Sequence, residues 1–172
     1  MRPLQLALAL SLATAIAVAP SAQPDRRPDR ALVDQAKAIV ADSMFARLQA
    51  GDADALAEWV VNETYSDGSG STRIQTLSQF ESQFRMMTQE DGPFGEMDGY
   101  DLLQEDALPG TDRYFRLTYM SYHQEVALVW EIHFYVRPDG GLSIPYLQFN
   151  GQNPYVYLST SDMLLPRYVE GP

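Results

Sequence analysis

The chain contains no cysteine among its 172 residues. Without a thiol, it has no disulfide bond, no thiolate metal site, no cysteine nucleophile and no lipid anchor on cysteine. The absence does not argue against export, because a domain of about 150 residues can bury enough surface to be stable without cross-links.

Histidine and basic residues are also scarce. His123 and His133 are the only histidines, so a metal site made of three histidines is excluded. Twelve basic residues face 23 acidic ones, which gives a formal net charge of −11. A chain this acidic is repelled by phosphate backbones, and it has no basic run. We therefore predict no nucleic-acid partner.

Two segments superficially suggest cofactor sites. The acids of residues 89–101 lack the spacing of a twelve-residue calcium loop. The Gly-Ser-Gly at residues 68–70 lacks the lysine that a phosphate loop requires. The sequence therefore predicts no metal and no cofactor.

The N-terminus has the pattern of a secretory signal peptide. Arg2 precedes an apolar run over residues 4–19, and small residues follow at Ala19, Ser21 and Ala22. The run is shorter than the roughly 20 residues that a spanning helix needs. We predict that residues 1–22 are removed, that no stable membrane insertion follows cleavage, and that the protein is periplasmic or extracellular. Residues 23–30 are polar and proline-containing, as is typical of a tether.

A single domain is predicted over residues 31–151, followed by a C-terminal extension over residues 152–172. Apolar residues recur every three to four positions, which predicts helices over residues 31–50, 53–61 and about 71–89. Residues 62–71 have the composition of a loop, in which residues 63–65 could form a short strand. Residues 100–108 are predicted as a first strand, with a helical turn as the alternative.

Residues 113–150 predict a three-stranded antiparallel meander. In its second segment four apolar residues alternate with polar or mixed ones, and the apolar ones are Trp130, Ile132, Phe134 and Val136. This period of two is typical of a half-buried strand, so we expect these four side chains to face inward. Residues 138–141, Pro-Asp-Gly-Gly, are a strong hairpin-turn signal.

This order of elements resembles the nuclear transport factor two-like superfamily over residues 31–150. The features that fit are Phe45, Leu48, Gly51-Asp52, Leu56 and Val60 in the first helical pair, Tyr114 to Tyr119, and Trp130 to Val136 leading into the hairpin turn and a last strand through Phe149. The resemblance implies an α+β fold with two N-terminal helices. A curved antiparallel sheet of about four to six strands would wrap around a long helix. The resulting cone has a pocket for a small apolar ligand at its open end.

A ligand pocket inside this cone would be lined by Tyr65, Phe84, Arg116, Trp130, Phe134 and Tyr146. His133 would be a general base if its strand face lined the pocket, and a surface or dimer-contact residue if that face were the outer one. His123 lies in a short turn, where a solvated side chain is expected. Asp67 lies in a Ser-Asp-Gly-Ser-Gly turn, where aspartate normally serves the turn. No catalytic residue is assigned.

The superfamily includes dehydratases, isomerases and epoxide hydrolases as well as non-catalytic modules, so fold alone does not choose a function. The sequence favours an exported, non-catalytic domain that binds a ligand or partner, as a homodimer through the outer sheet face. The first alternative is a small cofactor-free lyase, isomerase or hydrolase that acts on an apolar substrate in the cone. The second is a structural or dimerisation module with no open pocket.

Overall fold

The computed structural model describes residues 26–64, 70–89 and 91–151. The predicted signal peptide, Tyr65, Asp67 and the predicted extension 152–172 lie outside these residues. Four α-helical segments precede four strands. The helical segments are α1 Arg30–Ile39, α2 Ala46–Gln49, α3 Ala53–Thr64 and α4 Gly70–Thr88, and a π-helical turn, Val40–Phe45, joins α1 to α2. The strands are β1 Met97–Ala107, β2 Tyr114–His123, β3 Ala127–Val136 and β4 Leu142–Asn150.

The first predicted helix is confirmed as one run, α1 to α2, with polar groups satisfied at both ends. The Asp29 carboxylate accepts a hydrogen bond from the Ala31 amide at 2.9 Å, which caps the helix N-terminus. At the other end Gly51 adopts a φ of 71°, a left-handed conformation that favours glycine. Asp52 then caps α3 by accepting from the Ala55 amide at 3.1 Å, as predicted.

The other two helices differ little from the predicted ones. α4 starts at Gly70 and ends at Thr88, within two residues of the predicted bounds. The short strand suggested for residues 63–65 is wrong at residues 63 and 64, because α3 continues to Thr64. The Thr64 hydroxyl donates to the carbonyl of Val60 at 2.7 Å, which satisfies that side chain within the helix.

The four strands form one antiparallel sheet in the order β1-β2-β3-β4. This confirms the α+β class, and it settles residues 97–107 as a strand and not a helical turn. The hairpin turn before β4 is confirmed as well. There the Arg137 amide donates to the Gly141 carbonyl at 2.8 Å, and Gly140 has a φ of 81°.

The helices pack against one face of the sheet, which we call the inner face. Its predicted residues Trp130, Ile132 and Phe134 are each 0% exposed. The Trp130 ring lies 6.0 Å from Phe45 and 6.5 Å from Phe84, measured between centroids. Aromatic rings thus fill the space between helices and sheet, and the predicted orientation of β3 is confirmed.

No helix within the described ranges is both long enough and apolar enough to cross a membrane.

The expectation that His123 is solvated is wrong. His123 is the last residue of β2 and is only 6% exposed, because residues 94–96 fold back over the turn that follows it. Its Nε2 lies 3.1 Å from the Ser121 hydroxyl, which in turn accepts a hydrogen bond from the Trp130 indole at 2.8 Å. Its Nδ1 lies 3.3 Å from the Gly95 carbonyl oxygen. The side chain therefore belongs to the polar edge of the core.

Burial lowers the pKa of His123 below its ordinary value of 6.5, and the hydrogen bond to Gly95 opposes this only in part. The unfolded chain then binds a proton more readily than the folded one, so stability falls as pH drops below about 6.5. When the pH is lowered from about 7.5 to about 5.5, we expect the melting temperature of His123→Gln to fall less than that of the wild type. Parallel losses in thermal unfolding of the two proteins would contradict the buried, neutral state of His123.

Candidate functional site

The outer face of the sheet carries two adjacent rows of polar side chains, one residue from each strand. The pairing of strands places Asp106, Arg116, His133 and Tyr146 in the first row. It places Gln104, Thr118, Glu131 and Gln148 in the second row. The two rows follow from the same alternation that turns Trp130 and Phe134 inward, because successive side chains of a strand point to opposite faces.

Arg116 is the centre of a buried ion-pair network. Its Nε and Nη2 both donate to Oδ2 of Asp106, at 3.0 and 2.6 Å. Its Nη1 lies 3.6 Å from Oε1 of Glu131. Arg116 is 4% exposed and Asp106 is 2% exposed. Charges this far from water are stable only when they are paired, so the guanidinium holds two carboxylates in place.

A chain of hydrogen bonds leads from Glu131 through His133 to Tyr114. Nε2 of His133 lies 2.6 Å from Oε1 of Glu131, and Nδ1 lies 2.9 Å from the Tyr114 hydroxyl. A carboxylate only accepts, so the proton between His133 and Glu131 is on Nε2, and Nδ1 of a neutral ring accepts from Tyr114. Burial, followed by the charge of Glu131, raises the pKa of Tyr114, which keeps this phenol protonated as a donor.

Two buried polar atoms beside Arg116 make no hydrogen bond within the described part of the chain. They are Oδ1 of Asp106 and Oγ1 of Thr118. A buried polar atom without a partner costs about 1–3 kcal/mol. Such atoms are rare in folded proteins, where most buried polar side-chain atoms have a partner.

Asp106 also borders a cleft between the start of α1 and the end of β1. The cleft has a volume of about 340 Å³ and is partly open to solvent. Its apolar wall consists of Pro28, Val33, Ala107 and Phe115. The Phe115 ring stacks on Phe134 at 5.3 Å, so the floor of the cleft is the edge of the core.

Arg30 and Glu105 line the cleft together with Asp106. Nη1 of Arg30 donates to Oε2 of Glu105 at 2.8 Å, and Lys37 forms a second ion pair with the same carboxylate. Both cations also pair with Asp34, so the two positive and two negative charges balance. The pairs with Glu105 link α1 to the edge strand.

The predicted pocket residues divide between the two faces of the sheet. Phe84, Trp130 and Phe134 lie in the inner core, where each is 0% exposed. Arg116 and Tyr146 lie on the outer face, in one row with His133. Tyr65 lies outside the described residues. Phe134 is one contact from the cleft, through Phe115.

Sequence reasoning missed the cleft and the role of Asp106. The cleft depends on contact between residues about 75 positions apart in the chain, as in the Arg30–Glu105 pair, and no local pattern encodes that contact. One signal for Asp106 was present. The strands β1 and β2 form an antiparallel hairpin, and their pairing places Asp106 opposite Arg116 on the outer face.

Within residues 26–64, 70–89 and 91–151, no group of three or more His, Asp or Glu side chains is arranged to hold a metal ion.

Comparisons with protein-family models, with curated proteins and with solved structures give no match for this chain. A proposed function for this chain therefore rests on the geometry of its site.

Proposed function

We propose that this chain is a non-catalytic binding domain and that its ligand occupies the cleft between α1 and β1. The observation that carries the proposal is an apolar wall that is bordered by the charged side chains of Arg30 and Glu105. Binding sites for small molecules are concave and mostly apolar, with a few placed polar groups that fix orientation.

The size of the cleft favours a small ligand. Its volume of about 340 Å³ includes space that is open to solvent, so the enclosed part is smaller than that. The ion pairs of Arg30 and Lys37 with Glu105 join α1 to β1 beside the cleft, and partly exposed pairs of this kind contribute at most about 1 kcal/mol each.

Filling the cleft is the direct test of this location. The probe is whichever of n-hexanol, n-hexylamine and hexanoate binds the wild type most tightly. Ala107→Leu adds three carbons to the apolar wall, and we expect it to weaken binding of that probe by at least about tenfold. Isothermal titration calorimetry measures the affinities. Ala127→Leu is the matched control, because it makes the same change on β3, at the far end of the sheet from Phe115. Equal affinities for Ala107→Leu and the wild type, or no binding of any probe, would contradict the proposal.

Proton transfer by His133 is a second candidate function, and it would take place on the outer face, whereas the cofactor-free enzyme alternative placed its substrate inside the cone. The hydrogen-bond chain Glu131–His133–Tyr114 supports it, since a carboxylate orients the imidazole and a phenol faces the other nitrogen. Incubation with cyclohexanone in D₂O tests for abstraction of a proton next to a carbonyl. Deuterium incorporation that is faster with wild type than with His133→Asn would favour the enzyme. Equal rates would favour the non-catalytic binding domain.

The cone shape, the resemblance to the nuclear transport factor two-like superfamily and the export of the protein stay predictions. What supports the first two is the element order, three helical units followed by a four-stranded meander. N-terminal sequencing of the protein secreted by its host tests removal of residues 1–22.

Dimerisation through the outer sheet face is also a prediction. It draws support from Tyr122 and Tyr146, whose side chains are about two-fifths exposed on the outer face. Aromatic side chains of this kind are enriched in protein interfaces. Sedimentation equilibrium of the wild type and of a Tyr122→Ser/Tyr146→Ser variant tests this dimer.

A further inference from the structure

We infer that the middle of the outer sheet face is a docking surface for the chain's own C-terminal segment, residues 152–172. The observation that carries the inference is burial on both faces of the two central strands, although the described helices pack against the inner face. The cleft between α1 and β1 plays no part in it, so the inference is independent of the proposed binding site.

Each central strand contains a run of consecutive buried residues, 115–119 in β2 and 128–132 in β3. Because successive side chains of a strand point to opposite faces, such a run is buried on both faces of the sheet. An antiparallel sheet with one solvated face shows buried and exposed residues in alternation instead. That alternation returns towards the strand ends, where Tyr122 is exposed and Tyr135 is partly buried. The middle of the outer face is therefore covered.

Val129 shows that this cover is more than the ion pairs of the outer face. It is 0% exposed, yet it is not among the side chains of the apolar cluster between the helices and the sheet. Its cross-strand neighbours, Met120 and Asn150, are themselves only partly buried. An apolar side chain on a solvated sheet face keeps contact with water unless another layer lies over it. The burial is that of a single chain, so it does not require a second copy.

The C-terminal segment is the part of the chain best placed to supply this layer. Strand β4 ends at Asn150, which pairs with Val129, so the segment begins beside the covered area. An extended segment advances about 3.3 Å per residue and neighbouring strands lie about 4.8 Å apart, so about five residues cross all four strands. Residues 152–172 are several times that length. By contrast, residues 65–69 connect α3 to α4 and are too few to pass around the sheet.

The composition of the C-terminal segment suits such a contact. Residues 155–158 are Tyr-Val-Tyr-Leu, and residues 163–165 are Met-Leu-Leu. Apolar runs of this kind gain stability when they leave water, and Val129 offers them an apolar partner. Tyrosine hydroxyls can in addition bond to the polar side chains around it. The same layer would keep water from Arg116 and Glu131, which belong to the two buried runs.

Thiol labelling tests this layer, because the chain has no cysteine of its own. Val129→Cys places a single thiol under the proposed layer, and alkylation by iodoacetamide, followed by mass spectrometry, measures how accessible that thiol is. We expect this thiol to be labelled at least about tenfold faster in a chain that ends at Gly151 than in the full chain.

Two further single-cysteine variants are the matched controls. Ile132→Cys lies on the same strand as Val129 but on the inner face, where Ile132 is 0% exposed, so it should stay protected in both chains. Ile74→Cys lies on α4, where Ile74 is 71% exposed, so it should react equally fast in both chains. Equal labelling of Val129→Cys in the two chains, with Ile132→Cys protected in both, would overturn the inference.

Other outcomes also decide the question. Labelling of Val129→Cys that becomes faster when the full chain is diluted would overturn the inference, because it would identify a second copy as the cover. If the shorter chain fails to fold, Ile132→Cys will react in it, and the double variant Val156→Asp/Leu164→Asp of the full chain then replaces the truncation. It should raise labelling of Val129→Cys at least about tenfold while Ile132→Cys stays protected. A rise that is equal at both thiols, or no rise, would contradict a covering C-terminal segment.

Discussion

Trp130→Ala should lower the free energy of unfolding by about 3–5 kcal/mol, the range for deleting a buried aromatic side chain. Trp130 is 0% exposed and contacts rings from two helical segments and from β4, with Phe149 at 5.0 Å between centroids. Its indole nitrogen also donates to Ser121 at 2.8 Å. The substitution therefore removes apolar contacts and leaves a buried hydroxyl without its donor.

Urea unfolding monitored by circular dichroism measures this loss. Trp59→Ala is the matched control, because Trp59 is only partly buried at the margin of the core. It should cost clearly less than Trp130→Ala. Equal costs, or a neutral Trp130→Ala, would mean that β3 does not turn this residue toward the helices.

Arg116→Met should cost a similar amount, about 3–5 kcal/mol, for an electrostatic reason. The Arg116 side chain is buried, and its guanidinium lies between the carboxylates of Asp106 and Glu131. Methionine conserves much of the volume but leaves those two charges buried beside an uncharged side chain. The cost arises chiefly from the carboxylates that remain and less from the pair that is lost.

The same reasoning predicts partial recovery in the double variant Asp106→Leu/Arg116→Met, because apolar replacement of a whole buried pair is often close to neutral. Arg85→Met is the control. Arg85 pairs with Asp54 at 2.8 Å on an exposed surface, where such a pair contributes at most about 1 kcal/mol. Should Arg116→Met cost no more than Arg85→Met in urea unfolding, the network on the outer face would not be a buried one.

The parts of the fold that depend on local pattern were predictable from sequence. The strand alternation around Trp130, the glycine stop at Gly51 and the turn at residues 138–141 all act over a few residues, and each is confirmed. Helix ends were correct within a few residues for the same reason, since caps such as Asp52 are local.

The parts that depend on distant contacts were not predictable. His123 is the last residue of β2, and the return of residues 94–96 across the turn that follows buries it. The predicted pocket combined residues that are apolar or aromatic but did not assign each to a face, so Tyr146 and Phe84 were grouped although the sheet lies between them. The cleft needs α1 to lie on the end of β1, a contact that rests on Arg30, Lys37 and Glu105.

Chemical-shift mapping of the tightest-binding six-carbon probe would test the location of the site most directly. In ¹H–¹⁵N spectra of the full chain, the account predicts that the largest shifts occur at the amides of Val33, Ala107 and Phe115, and that they disappear in Ala107→Leu. Shifts centred on Phe84 and Trp130 would place the ligand in the interior between helices and sheet. That result, or shifts that Ala107→Leu leaves unchanged, would contradict a binding site between α1 and β1.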